Sequence, residues 1–244
     1  MLDPERYPWH PLLGYTPKAA APVEALLARM EAAGVGAAVL VQPSYYGYDH
    51  RYLQEALARD PERLRGVCLA DPAAPAFAAG CRGVRLNAVG HPGRGWLTAT
   101  AEAGCWAAAE AAELVLCAQC GPEQVGEFAG LAAGRPGLPC VLDHLGRGGW
   151  GDLLAAAEVP NLHVKVSGLA AVSAEPYPHR DLWPVVAEVV RAFGPERCLF
   201  GTDASGTDPA PYLAQVELWR ELFPLPPAGR EAVLGGTAHR LFWR

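Results

Sequence analysis

The sequence predicts an α/β barrel, one strand short of closure. Three observations carry this. Short apolar runs without alternation recur along the chain, which is how strands buried on both faces read. Helical segments separate them, so neighbouring strands run parallel and are covered by helices. The chain has 244 residues, 51% of them hydrophobic, enough for one such domain of roughly 250 residues. The expectation is a single domain over residues 1–244.

The elements follow in order. Residues 1–16 are rich in proline and aromatics and show no period. Val23, Leu26, Leu27 and Met30 have helical spacing, ending at Gly34. Ala37–Gln42 is an apolar strand stopped by Pro43-Ser44, and 49–60 is a helix with Tyr52, Leu53 and Leu57 on one face. Further strands are expected at Arg65–Ala70, Gly83–Asn87, Glu113–Ala118, Leu138–Asp143, Leu162–Ser167 and Cys198–Phe200. A weak helix at Pro75–Ala79 and an Ala-rich helix up to Ala112 fall between them, followed by helices at Pro122–Ala133, Trp150–Ala157 and Asp181–Phe193. Tyr212–Leu222 and Gly229–Phe242 complete the set. No G-x-G-x-x-G follows the first strand, which disfavours an open dinucleotide-binding sheet. Seven strand-helix units are found, where a closed barrel needs eight.

Composition narrows the function. The net charge is −6 with both signs interspersed, so no basic stripe indicates a nucleic-acid partner. No run of eighteen apolar residues or signal pattern is present, so no membrane span is expected and the cytoplasm is the default compartment. The seven cysteines lie mostly in apolar segments, as reduced core thiols do, and Cys117-x-x-Cys120 is a lone pair without a second.

The chemistry-bearing residues sit at strand ends. Arg85 and Asn87 lie two apart on one strand and share a face. His144 follows the Leu138–Asp143 strand, and a Gly-Thr turn after Phe200 delivers Asp203. Barrels gather active sites at the C-terminal ends of their strands. A His–Asp combination suits general acid–base work or two ligands of a zinc-type site, and Arg85 suits a carboxylate. As alternatives, His144 would be a core histidine, Arg85 an ion-pair partner, Asn87 a turn former and Asp203 a cap. Tyr15, Ser44 and Arg147 fall near the same rim and are candidate substrate contacts. His10, His50, His91, His179 and His239 read as loop or exposed-face residues, and His163 as structural.

Seven segments in order, Leu2-Asp-Pro-Glu-Arg-Tyr-Pro, Gly14-Tyr-Thr-Pro, Val41-Gln-Pro-Ser, Gly83-Val-Arg-Leu-Asn, Leu142-Asp-His-Leu-Gly, Val164-Lys-Val-Ser-Gly and Leu199-Phe-Gly-Thr-Asp, resemble the "amidohydrolase 2" branch of the amidohydrolase superfamily. The similarity is to its 2-pyrone-4,6-dicarboxylate lactonases. The resemblance implies a TIM-type (β/α)₈ barrel that hydrolyses a small carboxylate-bearing lactone or related ring, or, in sister groups, decarboxylates one with zinc. It implies Asp203 as the base that activates water, and His144 as metal ligand or carbonyl polariser. It also implies Arg85, Tyr15, Ser44 and Arg147 around substrate carboxylates.

One departure stands out. The family opens with a strand carrying His-x-His, and none occurs here; the missing strand accounts for the count of seven. Three origins stand open: a late start or truncation, a partner segment that fills the gap, and a loss of catalysis that leaves a ligand-binding protein. His144 and Asp203 alone are an incomplete set for a divalent metal such as zinc, so weak or absent metal binding is expected. Exposed strand edges predict a homo-oligomer, a dimer or larger.

Overall fold

The computed structural model describes residues 2–10, 20–203 and 211–244. Seven parallel strands form one curled sheet in simple sequence order: β1 (Ala38–Val41), β2 (Leu64–Leu69), β3 (Cys81–Asn87), β4 (Val115–Gln119), β5 (Cys140–Leu142), β6 (Leu162–Val166) and β7 (Cys198–Phe200). Among the described residues each pairs only with its sequence neighbours, so β1 and β7 are the two edges of a barrel that lacks one strand. The seven expected strands are all present, shifted by at most three residues at either end.

Helices alternate with the strands: α1 (Val23–Ala32), α2 (Arg51–Arg59), α3 (Trp96–Glu102), α4 (Cys105–Ala111), α5 (Val125–Ala133), α6 (Trp150–Ala156) and α7 (Trp183–Phe193). α8 (Tyr212–Glu217) continues into a π-helical turn at Leu218–Leu222; α9 (Pro227–Glu231) continues through another at Ala232–Gly236 into α10 (Thr237–Phe242). Two expectations are corrected. Pro75–Ala79 forms no helix: Pro72 and Pro75 precede a segment of alanines with one aromatic, and Gly80 follows it. The Ala-rich helix breaks in two at Gly104, whose φ of +89° is open to glycine but not to alanine.

The alternation of side chains along each strand separates two apolar layers. Leu162, Val164 and Val166 face the helices and join the main core with Trp106, Phe128 and Val186. Val67, Val115, Cys117, Val141 and Leu199 point the other way, into the barrel, where Leu241 and Phe242 of α10 close its lower end. Gly83 makes room for that plug: a Cβ there would stand 3.2 Å from the Phe242 ring and 2.9 Å from the Val115 carbonyl. Bulk at the bottom and polarity at the top thus make the upper, C-terminal end the polar end of the barrel.

The helical layer closes where the sheet does not. Arg220, in the π-turn after α8, donates from Nη1 to the Ala33 carbonyl (2.6 Å) and from Nη2 to the Gly34 carbonyl (3.0 Å), tying that turn to the end of α1. All seven cysteines are buried and unbridged. No helix among the described residues is long and apolar enough to cross a membrane.

Candidate active site

A cavity of about 900 Å³ opens at the C-terminal ends of the strands and extends beside the open seam between β1 and β7. Strand parity decides what faces it. On β3, Arg85 and Asn87 share the inward face with Gly83; beyond β5, Asp143 continues the face of Val141; on β6, Lys165 and Ser167 share it with His163.

The deepest polar layer is an ion triad. The Asp143 carboxylate, 1% exposed, receives Lys165 Nζ at 2.7 Å on Oδ1 and Arg85 Nε at 3.2 Å on Oδ2. Burial alone would raise its pKa, but the two cations hold Asp143 below the usual carboxylate range. Burial pushes Lys165 down, and the same carboxylate outweighs it, so the ammonium is held above its ordinary value. The two effects agree in keeping the pair charged. Beneath it the Cys117 thiol, pushed up to about 12 by burial, stays protonated, and Cys120 is raised likewise. This Cys-x-x-Cys pair is therefore set for packing, not thiolate chemistry.

The layer above holds the histidine. Its ring nitrogen His144 Nδ1 lies 2.9 Å from Ser167 Oγ. Burial lowers the His144 pKa against the opposing pull of the Asp143 and Asp203 carboxylates, so the ring is neutral near pH 7. The chain turns sharply at both strand ends. His144, Leu145 and Arg147 have φ of 51°, 54° and 52°, and Asp203 has 48°, all in the left-handed region uncommon for non-glycine residues. Such conformations cost about 1–3 kcal/mol each and concentrate at functional sites. Gly201 lets the β7 turn approach β6: a Cβ on it would lie 3.2 Å from Ser167 Cβ.

Of the residues singled out from sequence, Arg85, Asn87, His144, Arg147, Ser44 and Asp203 all line this cavity. Tyr15 lies outside the described residues. Ser44 reaches the wall from a short 3₁₀ turn after β1. Asn87 Oδ1 is buried with no hydrogen-bond partner among the described residues, an acceptor left over for a ligand. His50, His163 and His179 bond to backbone carbonyls of Leu69, Cys140 and Glu175, and so are structural. His179 is buried at 3% exposure, which corrects the expectation of an exposed position: the turn after Pro178 folds it inward. Sequence reasoning missed Lys165, Ser167 and Asp143 as a connected set. The signal was available in the two-residue spacing of Lys165 and Ser167 on one inward face.

A divalent metal is poorly served. No group of three or more His, Cys, Asp or Glu side chains fit to hold one occurs among the described residues. Asp143 is taken by two cations, which leaves His144 and Asp203 among the described residues at the strand ends, too few for a tight zinc site.

Comparisons with known proteins agree with this architecture. The amidohydrolase family model matches residues 3–244. No curated protein matches the sequence. Among solved structures, a probable 2-pyrone-4,6-dicarboxylic acid hydrolase from Acinetobacter baumannii with citric acid bound superposes with a TM-score of 0.84 at 18% identity, covering 100% of this chain and 97% of that one. At that identity the likeness speaks for the fold alone. A Pseudomonas putida protein provisionally named a 2-pyrone-4,6-dicarboxylic acid hydrolase gives 0.73 at 28% identity, over 94% and 90% of the two chains. An amidohydrolase from Burkholderia multivorans with bound zinc gives 0.73 at 25%, over 91% and 88%.

Proposed function

Since the chain belongs to the amidohydrolase family, we propose that it hydrolyses a small carboxylate-bearing lactone or related ring. The observation that carries this reading is the wall of one cavity, where Asp203 and a neutral His144 face the cations Arg85 and Arg147. The activity in the name of the P. putida protein points the same way.

In this mechanism Arg85 and Arg147 hold the substrate's carboxylates and turn the ring carbonyl toward His144. Ser167 Oγ–H donates to Nδ1, which leaves the proton on Nε2 to polarise the carbonyl oxygen, as a neutral imidazole can. Asp203 takes a proton from water as the water oxygen bonds to the carbonyl carbon. The tetrahedral intermediate then collapses, the ring C–O bond breaks, and the departing oxygen takes the proton back from Asp203. One water is consumed and one carboxylic acid is released.

Ring opening of 2-pyrone-4,6-dicarboxylate, followed by loss of its ultraviolet absorbance, tests the assignment. Asp203→Asn is expected to lose at least ~10²-fold in kcat, the lower range for a general base. An unchanged rate would remove Asp203 from the role. Release of carbon dioxide instead of ring opening would move the protein to the decarboxylases.

A second reading, a ligand-binding protein without turnover, draws on the unpaired β1 and β7 edges and the short donor set. It predicts dicarboxylate binding with no product. A cytoplasmic homodimer that covers the seam accompanies either reading, and a monomer in sedimentation would rule the dimer out.

A further inference from the structure

The triad of Arg85, Asp143 and Lys165 carries two cations and one carboxylate. Among the described residues neither cation has another carboxylate within ion-pair distance, so one positive charge is left over in a nearly buried place. The side chains of Arg85 and Lys165 are only 11% and 12% exposed, and what exposure they have is to the cavity they line. A purely structural pair would balance one to one, because an unmatched buried charge is costly to hold. The geometry also leaves a donor unspent. Arg85 Nε–H lies 3.2 Å from Asp143 Oδ2 yet makes no aligned hydrogen bond.

The sequence adds an independent point. Lys18 and Lys165 are the only lysines among 20 basic residues, and arginine serves every other positive position. A chain that uses arginine almost throughout places one of its two ammonium groups in the cavity wall. The two groups are not interchangeable: an ammonium is a compact point charge with three rotatable donors, and a guanidinium is a flat fork that needs width. Beside Arg85 and above Cys117, a slim cation can touch Asp143 and still turn a donor toward a ligand.

We infer that Lys165 is an anion-binding residue of this site. Its ammonium and the Arg85 guanidinium, spaced by the Asp143 carboxylate they share, form a cradle for one carboxylate of a ring-shaped ligand. Asp143 is the positioning residue of the cradle, and Lys165 and Arg85 touch the ligand. The inference rests on the proposed reading of the site as one that takes a carboxylate-bearing ring, and names the second cation that reads it.

The test uses the full chain and two ligands that cannot be hydrolysed as lactones. They are isophthalate, a ring with two carboxylates, and isophthalamide, its neutral counterpart of the same shape. Affinities are measured by calorimetry and ligand-observed NMR for the wild type, Lys165→Met, Lys165→Gln and Lys165→Arg, with thermal melts alongside. The wild type is expected to bind isophthalate at least tenfold tighter than isophthalamide. Lys165→Met and Lys165→Gln should each weaken isophthalate tenfold or more and change isophthalamide less than twofold. Lys165→Arg, with its charge kept, should recover less than half of that loss on a logarithmic scale. A disturbance of packing would move both ligands together, so equal effects on the two would overturn the inference. So would a wild type with no preference for the anion, or a Lys165→Arg variant equal to the wild type. If both replacements fail to fold, Lys165→Arg and the wild-type preference still decide. Failure of the hydrolase reading is seen separately, as absent or Asp203-independent turnover while isophthalate binding persists.

Discussion

The His144 ring rests directly on Gly168: a Cβ on Gly168 would fall 2.9 Å from Nδ1 and 3.0 Å from Cγ of the imidazole. Gly168 also has φ of +66°, a backbone state that an L side chain enters only at a cost of about 1–2 kcal/mol. The contact and the conformation act together, because the turn that ends β6 must pass under the histidine that ends β5. Gly168→Ala is therefore expected to lower stability by about 1–3 kcal/mol and to push the imidazole off Ser167 Oγ. A melting curve checks the first part. Loss of the His144–Ser167 interaction in an NMR tautomer measurement checks the second. A variant that melts like the wild type with an unmoved His144 resonance would contradict both.

The strands were legible because their signal is local. Cys198–Phe200 is three residues long and was found whole, since a charged helix end and a Gly-Thr turn bracket it. Asp203, His144 and Arg85 were legible for a related reason: a polar residue that closes an apolar run has few places to go in a barrel. Lys165 was not, because inside a run such as Leu162–Ser167 the periodicity alone does not say whether alternate positions face a core, a cavity or solvent. That depends on the partner at the end of the neighbouring strand, here Asp143 after β5, twenty-two positions earlier. The break at Gly104 was missed because alanine content on both sides outweighed one glycine.

Stability should fall on the acid side from about the ordinary histidine range. His144 and His163 both have folded-state pKa values below normal, chiefly through burial. Below their unfolded value of roughly 6.5 the unfolded chain therefore binds protons that the folded chain refuses, and stability rises with pH across that window. The Asp143–Lys165 pair acts elsewhere. Asp143 is depressed, so its contribution is present above the ordinary carboxylate range and lost as pH falls through its folded value. Lys165 is raised, so its contribution is present below the ordinary lysine range and lost as pH rises through its folded value. Denaturant midpoints measured from pH 5 to 8 should decline below about 6.5, and His163→Asn should flatten that decline. A midpoint constant from pH 8 to 5 would mean that neither histidine is held neutral by the fold.

The open seam gives the last expectation. Among the described residues β1 and β7 do not pair with one another, so the first and last strands are joined through the helical layer. Arg220 makes two hydrogen bonds to carbonyls near the end of α1 that no helix partner satisfies, across 187 and 186 positions of sequence. Charge-assisted hydrogen bonds contribute about 1.5–3 kcal/mol when partly buried, and here they act at the one place where the sheet offers no support. Arg220→Met keeps much of the packed stem and removes both bonds. It is expected to cost about 1–3 kcal/mol and, more tellingly, to raise amide hydrogen exchange in α1 and β1 while β4 and β5, paired on both sides, stay protected. If exchange rises evenly over all seven strands, the seam opens only with the whole barrel and Arg220 is an ordinary cap. If it rises at β1 and β7 first, the two free edges are the weakest point of the fold, held together from outside.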